Sequence, residues 1–352
     1  MVKNMDNDSS DVRNEEERAP RAKRARRRFS VLEILKMRDT GLILVLIVMG
    51  IALTFLAPKS FPTAYNLFNV LRDVSYISIS AFGECLVIVT AGIDLSVGSI
   101  MGLSGIMCAL TLAGGALTPI GVLVGMATGA FFGFANGLLI SKAKMQPFII
   151  TLGTMSIIRG LCYGITGGWP IPSRGRAGVA SLPESFLTLG RGMVLETVPF
   201  PVVFMIVLAL VIAFFLNRTI TGKHIFATGD NPQAARVAGI RTENIKLLVY
   251  TMCGFLSGIG GILMTARLGT GDPRGAATYE LDIIAAVVLG GTSLMGGEGS
   301  LPGVVFAAAF MRLIRNGLTL LGSDPYWQPV AIGAVIIAGA MIDRYAKGRR
   351  VE

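Results

Sequence analysis

Residues 198–217 read VPFPVVFMIVLALVIAFFLN. No charged side chain interrupts the run. A helix rises about 1.5 Å per residue, so about 20 apolar residues cross the roughly 30 Å hydrocarbon core of a bilayer. The stretch is too long for a buried strand and has the composition of a membrane span. Similar runs lie on both sides of it, at 41–57, 68–90, 94–113, 119–140, 147–166, 244–266, 280–297, 301–321 and 327–344. The pattern predicts an all-α polytopic membrane protein of about ten transmembrane helices. The segment 280–297 is short and rich in glycine, and reads as a broken or re-entrant helix.

Composition agrees. The chain has 352 residues, 52% hydrophobic and 15% charged, where soluble domains carry about 25% charged residues. Of its charged side chains, 18 fall in residues 1–38. That divides the chain into a charged cytoplasmic tail over 1–40, expected to be disordered, a transmembrane domain over 41–346, and a short cytoplasmic tail over 347–352. The net charge of +10 is read as topogenic rather than as a nucleic-acid surface. Arg21, Lys23, Arg24, Arg26, Arg27 and Arg28 precede the first span and hold that end inside. Alternating sides from there puts Lys142, Lys144, Arg218, Lys223, Arg236, Arg241 and Lys246 in cytoplasmic connections, and both termini inside. Cys85, Cys108, Cys162 and Cys253 lie in apolar runs without metal-ligand spacing, and His224 is the sole histidine. A metal site or a Ser-His relay is therefore not expected.

Glycine is the second organiser. Gly121, Gly125, Gly129 and Gly133 fall four apart on one helical face, and Gly254, Gly258 and Gly261 nearly so. Small residues at this spacing let helix backbones approach closely in lipid. A weak repeat joins residues 136–147 (NGLLISKAKMQP) to 316–329 (NGLTLLGSDPYWQP). The copies sit five spans apart, which predicts halves of inverted topology, an arrangement common in transporters.

Three polar motifs stand out. In AGIDLSVGS, residues 91–99, Asp94 lies between two spans and is read as a cap that accepts backbone N–H bonds of the next helix. The longest cytoplasmic connection is 217–246. Within it, PQAARVA at 232–238 predicts a short helix with Pro232 in its first turn, Asp230 or Asn231 as cap and Gly239 as terminator. Its small Ala234 and Ala235, with Arg236 beside them, suit docking into a groove of another protein. In YELDIIAAVVLGGTSLMGGEGSLPG, residues 279–303, Glu280 and Asp282 open a helix whose N-terminus favours acids. No GxxxxGK[ST] occurs, so nucleotide binding by this chain is not expected.

GIDLSVGS (92–99), GDNPQAARVAGI (229–240), the 279–303 block and NGLTLLG (316–322) closely resemble, in order, the permease subunits of ribose-type ATP-binding-cassette importers. The resemblance covers roughly residues 65–345. It implies a bacterial cytoplasmic (inner) membrane protein that works in pairs. Solute is received from a soluble binding protein outside, and the drive comes from cassette ATPase subunits, which hold ATP and Mg while this chain holds no cofactor. It also assigns ATPase coupling to Gly229, Asp230, Asn231, Ala234, Ala235, Arg236 and Gly239. The implied function is import of a monosaccharide or related polyol by a non-enzymatic subunit.

A neutral solute suits a pathway lined by uncharged polar groups. Asn69, Ser75, Ser78, Asp94, Asn136, Thr151 and Asn316 are the candidates, each with helix–helix hydrogen bonding as the competing role. Two other readings stay open. An ion-coupled secondary transporter would use Glu84 or Asp94 to bind a proton, and a membrane enzyme would need paired carboxylates or a GxSxG elbow, which the sequence lacks.

Overall fold

The computed structural model describes residues 38–173, 181–324, 326–334 and 337. All of them belong to the compact unit Arg38–Glu352; of the expected tails over 1–40 and 347–352, residues 1–37 and 347–352 lie outside the described residues, while 38–40 are helical rather than disordered. Twelve helices follow in order: α1 (Arg38–Leu56), α2 (Ala64–Val89), α3 (Val97–Ala113), α4 (Thr118–Ser141), α5 (Pro147–Thr166), α6 (Glu184–Arg191), α7 (Phe200–Arg218), α8 (Ile220–Asp230), α9 (Pro232–Val237), α10 (Thr242–Leu268), α11 (Tyr279–Leu289) and α12 (Leu301–Leu320). Residues 327–334 are again helical, and the rest of the expected last span lies outside the described residues. A two-residue hairpin, β1 (Met193–Val194) with β2 (Val198–Pro199), is antiparallel.

Five of these helices, α4, α5, α7, α10 and α12, are long and apolar enough to cross a membrane, and α1 and α3 carry shorter apolar stretches. The run that decided the class forms α7, with Ile206, Val207, Leu210, Val211 and Phe214 exposed. A helix that is apolar all round and exposed in water would aggregate; facing acyl chains, it is matched to its solvent.

The centre of the bundle is α10, packed against α2, α3 and α4. The glycine faces explain how close it comes. A Cβ at Gly129 would strike the Gly254 carbonyl, and one at Gly133 the Tyr250 carbonyl; on α10, a Cβ at Gly254 would meet Gly129 and Gly133. Backbone therefore touches backbone along this seam, and dispersion between close-packed main chains replaces the hydrophobic effect that lipid does not supply.

The repeated Asn-Gly pair does the same work twice. Asn136 Nδ2 donates to Ser96 Oγ at 2.9 Å and its Oδ1 accepts from Thr154 Oγ1 at 2.7 Å, joining α4 to the start of α3 and to α5. Asn316 and Asn66 exchange amide bonds of 2.7 and 3.2 Å, joining α12 to α2. Beside each asparagine, the glycine admits a leucine: Gly137 lies against Leu247 and Gly317 against Leu53. A double-mutant cycle with Asn66→Leu and Asn316→Leu should give a coupling of about 0.6 kcal/mol and not above about 1.7, the range found for interhelical bonds in membranes. Zero coupling would mean that the amides do not pair.

The connections gather at two ends. One end brings together 90–96, 141–147, 218–244 and 290–300: Gly297 N–H donates to Val89 O at 2.9 Å, Tyr250 Oη to Ile93 O at 3.3 Å, and Lys142 Nζ to Asn244 Oδ1 at 3.0 Å. The other brings together 167–173, 181–199 and 268–278, where Ile171 and Gly271 form a bridge and Arg191 Nε donates to Arg267 O at 2.8 Å. This sorting is the one expected from alternating spans.

Candidate functional site

At the first end, all three polar motifs converge. The predicted short helix is α9. Asn231 caps it, its Oδ1 accepting from Gln233 N and Ala234 N at 3.0 Å, with Pro232 following, and Gly239 leaves it at φ 84°. Asp230, Asn231, Ala234, Arg236 and Gly239 are exposed, and Val237 is 91% exposed. Ala235 is a correction to the expected docking face. It is 4% exposed and faces the protein's own interior, because α9 is braced against α8 and α10. The free face therefore carries Ala234 and Val237 instead. The connection also holds a second helix, α8, which no apolar period announced.

Gly229 lies at the joint of the motifs. It is buried, and a Cβ there would overlap the Val89 carbonyl at the end of α2 and meet Gly297 N at 2.7 Å. Gly296 and Gly297, with φ of 88° and 76°, turn the chain so that 290–300 reaches this point. The expected break in the 280–297 segment is thus a helix that stops at Leu289, followed by a glycine turn seated on α2 and α8.

Asp94 is fully buried but lies in a loop, and α3 begins only at Val97. Its Oδ1 accepts from Ser96 N at 2.8 Å and Ser96 Oγ at 2.5 Å, so the carboxylate shapes the turn before the helix rather than capping it. Asp94 N–H donates to Glu84 Oε1 at 3.0 Å, and Cys253 Sγ to Glu84 Oε2 at 3.7 Å. Through Ser96, this network reaches Asn136 and Thr154.

The structure does not gather the remaining pathway candidates. Ser75 Oγ donates to Leu71 O at 2.7 Å and Thr151 Oγ1 to Pro147 O at 2.9 Å, so both buried hydroxyls are spent on their own helices. Ser78 is buried with no hydrogen-bond partner for its hydroxyl among the described residues. Asn69 accepts from Arg72 Nη1 at 3.3 Å. Asn316 is occupied by Asn66.

A second polar cluster, missed by the sequence reading, lies within the bundle toward the other end. Asp282, fully buried on α11, is gripped by Arg315, with Nε to Oδ2 and Nη2 to Oδ1 both 2.9 Å, and by Arg312 at 3.5 Å. Arg312 also stacks over Tyr279 at 4.4 Å, and Tyr279 lies parallel to Tyr76. Tyr76 Oη donates to Asp73 Oδ1 at 2.7 Å, and Arg267 pairs with Asp73. One residue earlier on α11, Leu281 separates this site from Glu280, which pairs with Arg159 of α5 at 3.3 Å. The signal was present: Arg312 and Arg315 stand three apart in an apolar run, on one helical face. Among the described residues, no group of His, Cys, Asp and Glu could hold a metal ion.

Comparison with known proteins fits this architecture. The family described as "Branched-chain amino acid transport system / permease component" matches residues 66–340. The ribose import permease protein of Bacillus subtilis (strain 168) is 39% identical over 88% of this chain and 93% of its own. The fructose import permease protein of Rhizobium meliloti is 33% identical over 87% and 85%. The galactose/methyl galactoside import permease protein of Escherichia coli (strain K12) is 36% identical over 88% and 96%. No solved structure matches the chain. With the family spanning both polar clusters and every helix from α2 to α12, the chain belongs to this family of transport-system permease components.

Proposed function

We propose that this chain is the membrane permease subunit of an ATP-binding-cassette importer that takes up a monosaccharide or related polyol. The observation that carries the reading is the identity to ribose, fructose and galactoside import permeases over most of both chains. In this reading it lies in a bacterial cytoplasmic membrane with both termini inside and works as a pair. A binding protein delivers the solute at the end formed by 167–173, 181–199 and 268–278. A cavity of about 350 Å³ there is lined by Trp169, Asp272 and Arg274. ATP and Mg belong to cassette subunits docked on α9 at the opposite end.

The geometry supports a coupling role for α9. Force applied to its free face passes to α8, and from Gly229 directly to the end of α2 and the 290–300 turn, without a flexible side chain between. Cassette closure would shift α2 and α11 together and so bias the permease between its two openings. The test is Val237→Asp. The side chain is almost fully exposed, so folding should change by less than about 0.5 kcal/mol. A charge in a docked apolar contact should lower ATP-driven uptake at least about tenfold, or about 1.4 kcal/mol. Unchanged uptake and ATPase stimulation would remove α9 from the interface.

A further inference from the structure

Beside α9, a cavity of about 240 Å³ opens between the α4–α5 turn and the start of α10. Lys144, Arg236 and Lys246 line it, with Glu243 as the sole acid among its lining residues. Glu243 pairs with Arg236 at 3.4 Å, and three cations against one acid leave the lining with a positive surplus. Two helices begin at its wall, α5 at Pro147 and α10 at Thr242, of 20 and 27 residues. Neither is capped by a side chain: Gln146 and Arg241, at the cap positions, make no such bond. The positive ends of two helix dipoles therefore add to the lysines. Ser141 also lines the cavity. It is only 4% exposed, and its hydroxyl has no hydrogen-bond partner among the described residues. An unmet buried hydroxyl is unfavourable unless something fills the site.

We propose that this cavity is an anion site that binds a phosphate group. Converging helix N-termini and lysines select a compact anion, and Ser141 supplies one further donor. The phosphate is carried either by an anionic phospholipid headgroup at the membrane surface or by a small soluble phosphate. Its placement on the cytoplasmic side rests on the orientation proposed above, but binding itself does not. Occupancy would tie Arg236, at the end of α9, to the bases of α5 and α10, and so stiffen the element proposed to receive the ATPase.

The test uses the assembled importer in nanodiscs. In one arm, phosphatidylcholine discs with and without phosphatidylglycerol are compared for lipid retained by the complex, read by native mass spectrometry. In the other, inorganic phosphate is titrated into complex in phosphatidylcholine alone and followed by phosphorus NMR. Saturable binding in the first arm identifies a headgroup, in the second a soluble phosphate. The paired substitution Lys144→Gln with Lys246→Gln should weaken that binding at least about tenfold, Ser141→Ala by about threefold, and Lys144→Arg with Lys246→Arg should keep it. Melting temperature and gel filtration establish that each variant is assembled; should the Gln pair fail to assemble, wild type and Ser141→Ala decide. Selective binding in neither arm, or unchanged binding in the assembled Gln pair or in Ser141→Ala, overturns the proposal. Because the readout is binding, failed transport in this importer would not be mistaken for failure of the site.

Discussion

Gly229→Ala is expected to remove the folded, transport-competent protein, at a cost of about 4 kcal/mol. The added methyl has no soft neighbour to push aside. It would enter the space of the Val89 carbonyl, which accepts the Gly297 N–H bond, and crowd Gly297 N itself. Overpacking costs about 1–3 kcal/mol, and loss of a buried backbone hydrogen bond about as much again. Gly239→Ala makes the contrast. That glycine has φ 84° but nothing within 4 Å of its Cβ position, so its replacement should cost only the backbone strain of about 1–2 kcal/mol. Denaturation in detergent separates the two. Equal effects would mean that the joint between α2, α8 and the 290–300 turn is looser than the close approach implies.

The second large effect is expected at Asp282. Asp282→Ala leaves Arg312 and Arg315 buried without their carboxylate. Removing one partner of a buried pair costs about 3–5 kcal/mol, because the stranded charge cannot recover its water. In Arg312, which is 5% exposed, the guanidinium is left with Tyr279 and the Tyr76 ring. The triple change Asp282→Leu, Arg312→Met, Arg315→Met should restore most of the stability, since apolar side chains of similar volume often substitute for buried ions. If it restores stability but not uptake, the cluster serves the transport cycle; if Asp282→Ala alone is neutral, the burial of these charges has been misread. Thermal unfolding of the purified protein, with uptake measured alongside, checks both.

How far the sequence reached follows from the range of the forces involved. The run at 198–217 became α7 because twenty uncharged residues are a local property. The cap and stop of α9 were legible for the same reason: Asn231, Pro232 and Gly239 each act within a few residues. Gly129 and Gly254 were recognised as packing surfaces, but nothing in either stretch says which face meets which. Ala235 was read as outward because small residues suit both a docking surface and a tight internal contact, and only the brace of α8 and α10 decides. The helix α8 carries His224 and Lys223 among its apolar residues and gave no clear period. The Asp282 cluster draws on α2, α10, α11 and α12, so its partners are far apart in the chain; Asp282 alone looked like a helix-end preference, and Arg312 and Arg315 were not singled out. Asp94 was read as a cap of the next helix; that its carboxylate instead shapes the turn at Ser96 depended on where α3 begins.

Coupling to ATP is the centre of the account, because buried Glu84 and Asp94 would give a proton-coupled carrier its acids, and no basic side chain pairs with either among the described residues. Proteoliposomes containing this chain, its cassette ATPase and the binding protein, supplied with radiolabelled ribose, fructose or galactose, decide between the two. One of these sugars is expected to accumulate when ATP and Mg reach the cassette subunits, and none when a proton or sodium gradient is imposed without ATP. Gradient-driven accumulation without ATP would contradict that coupling.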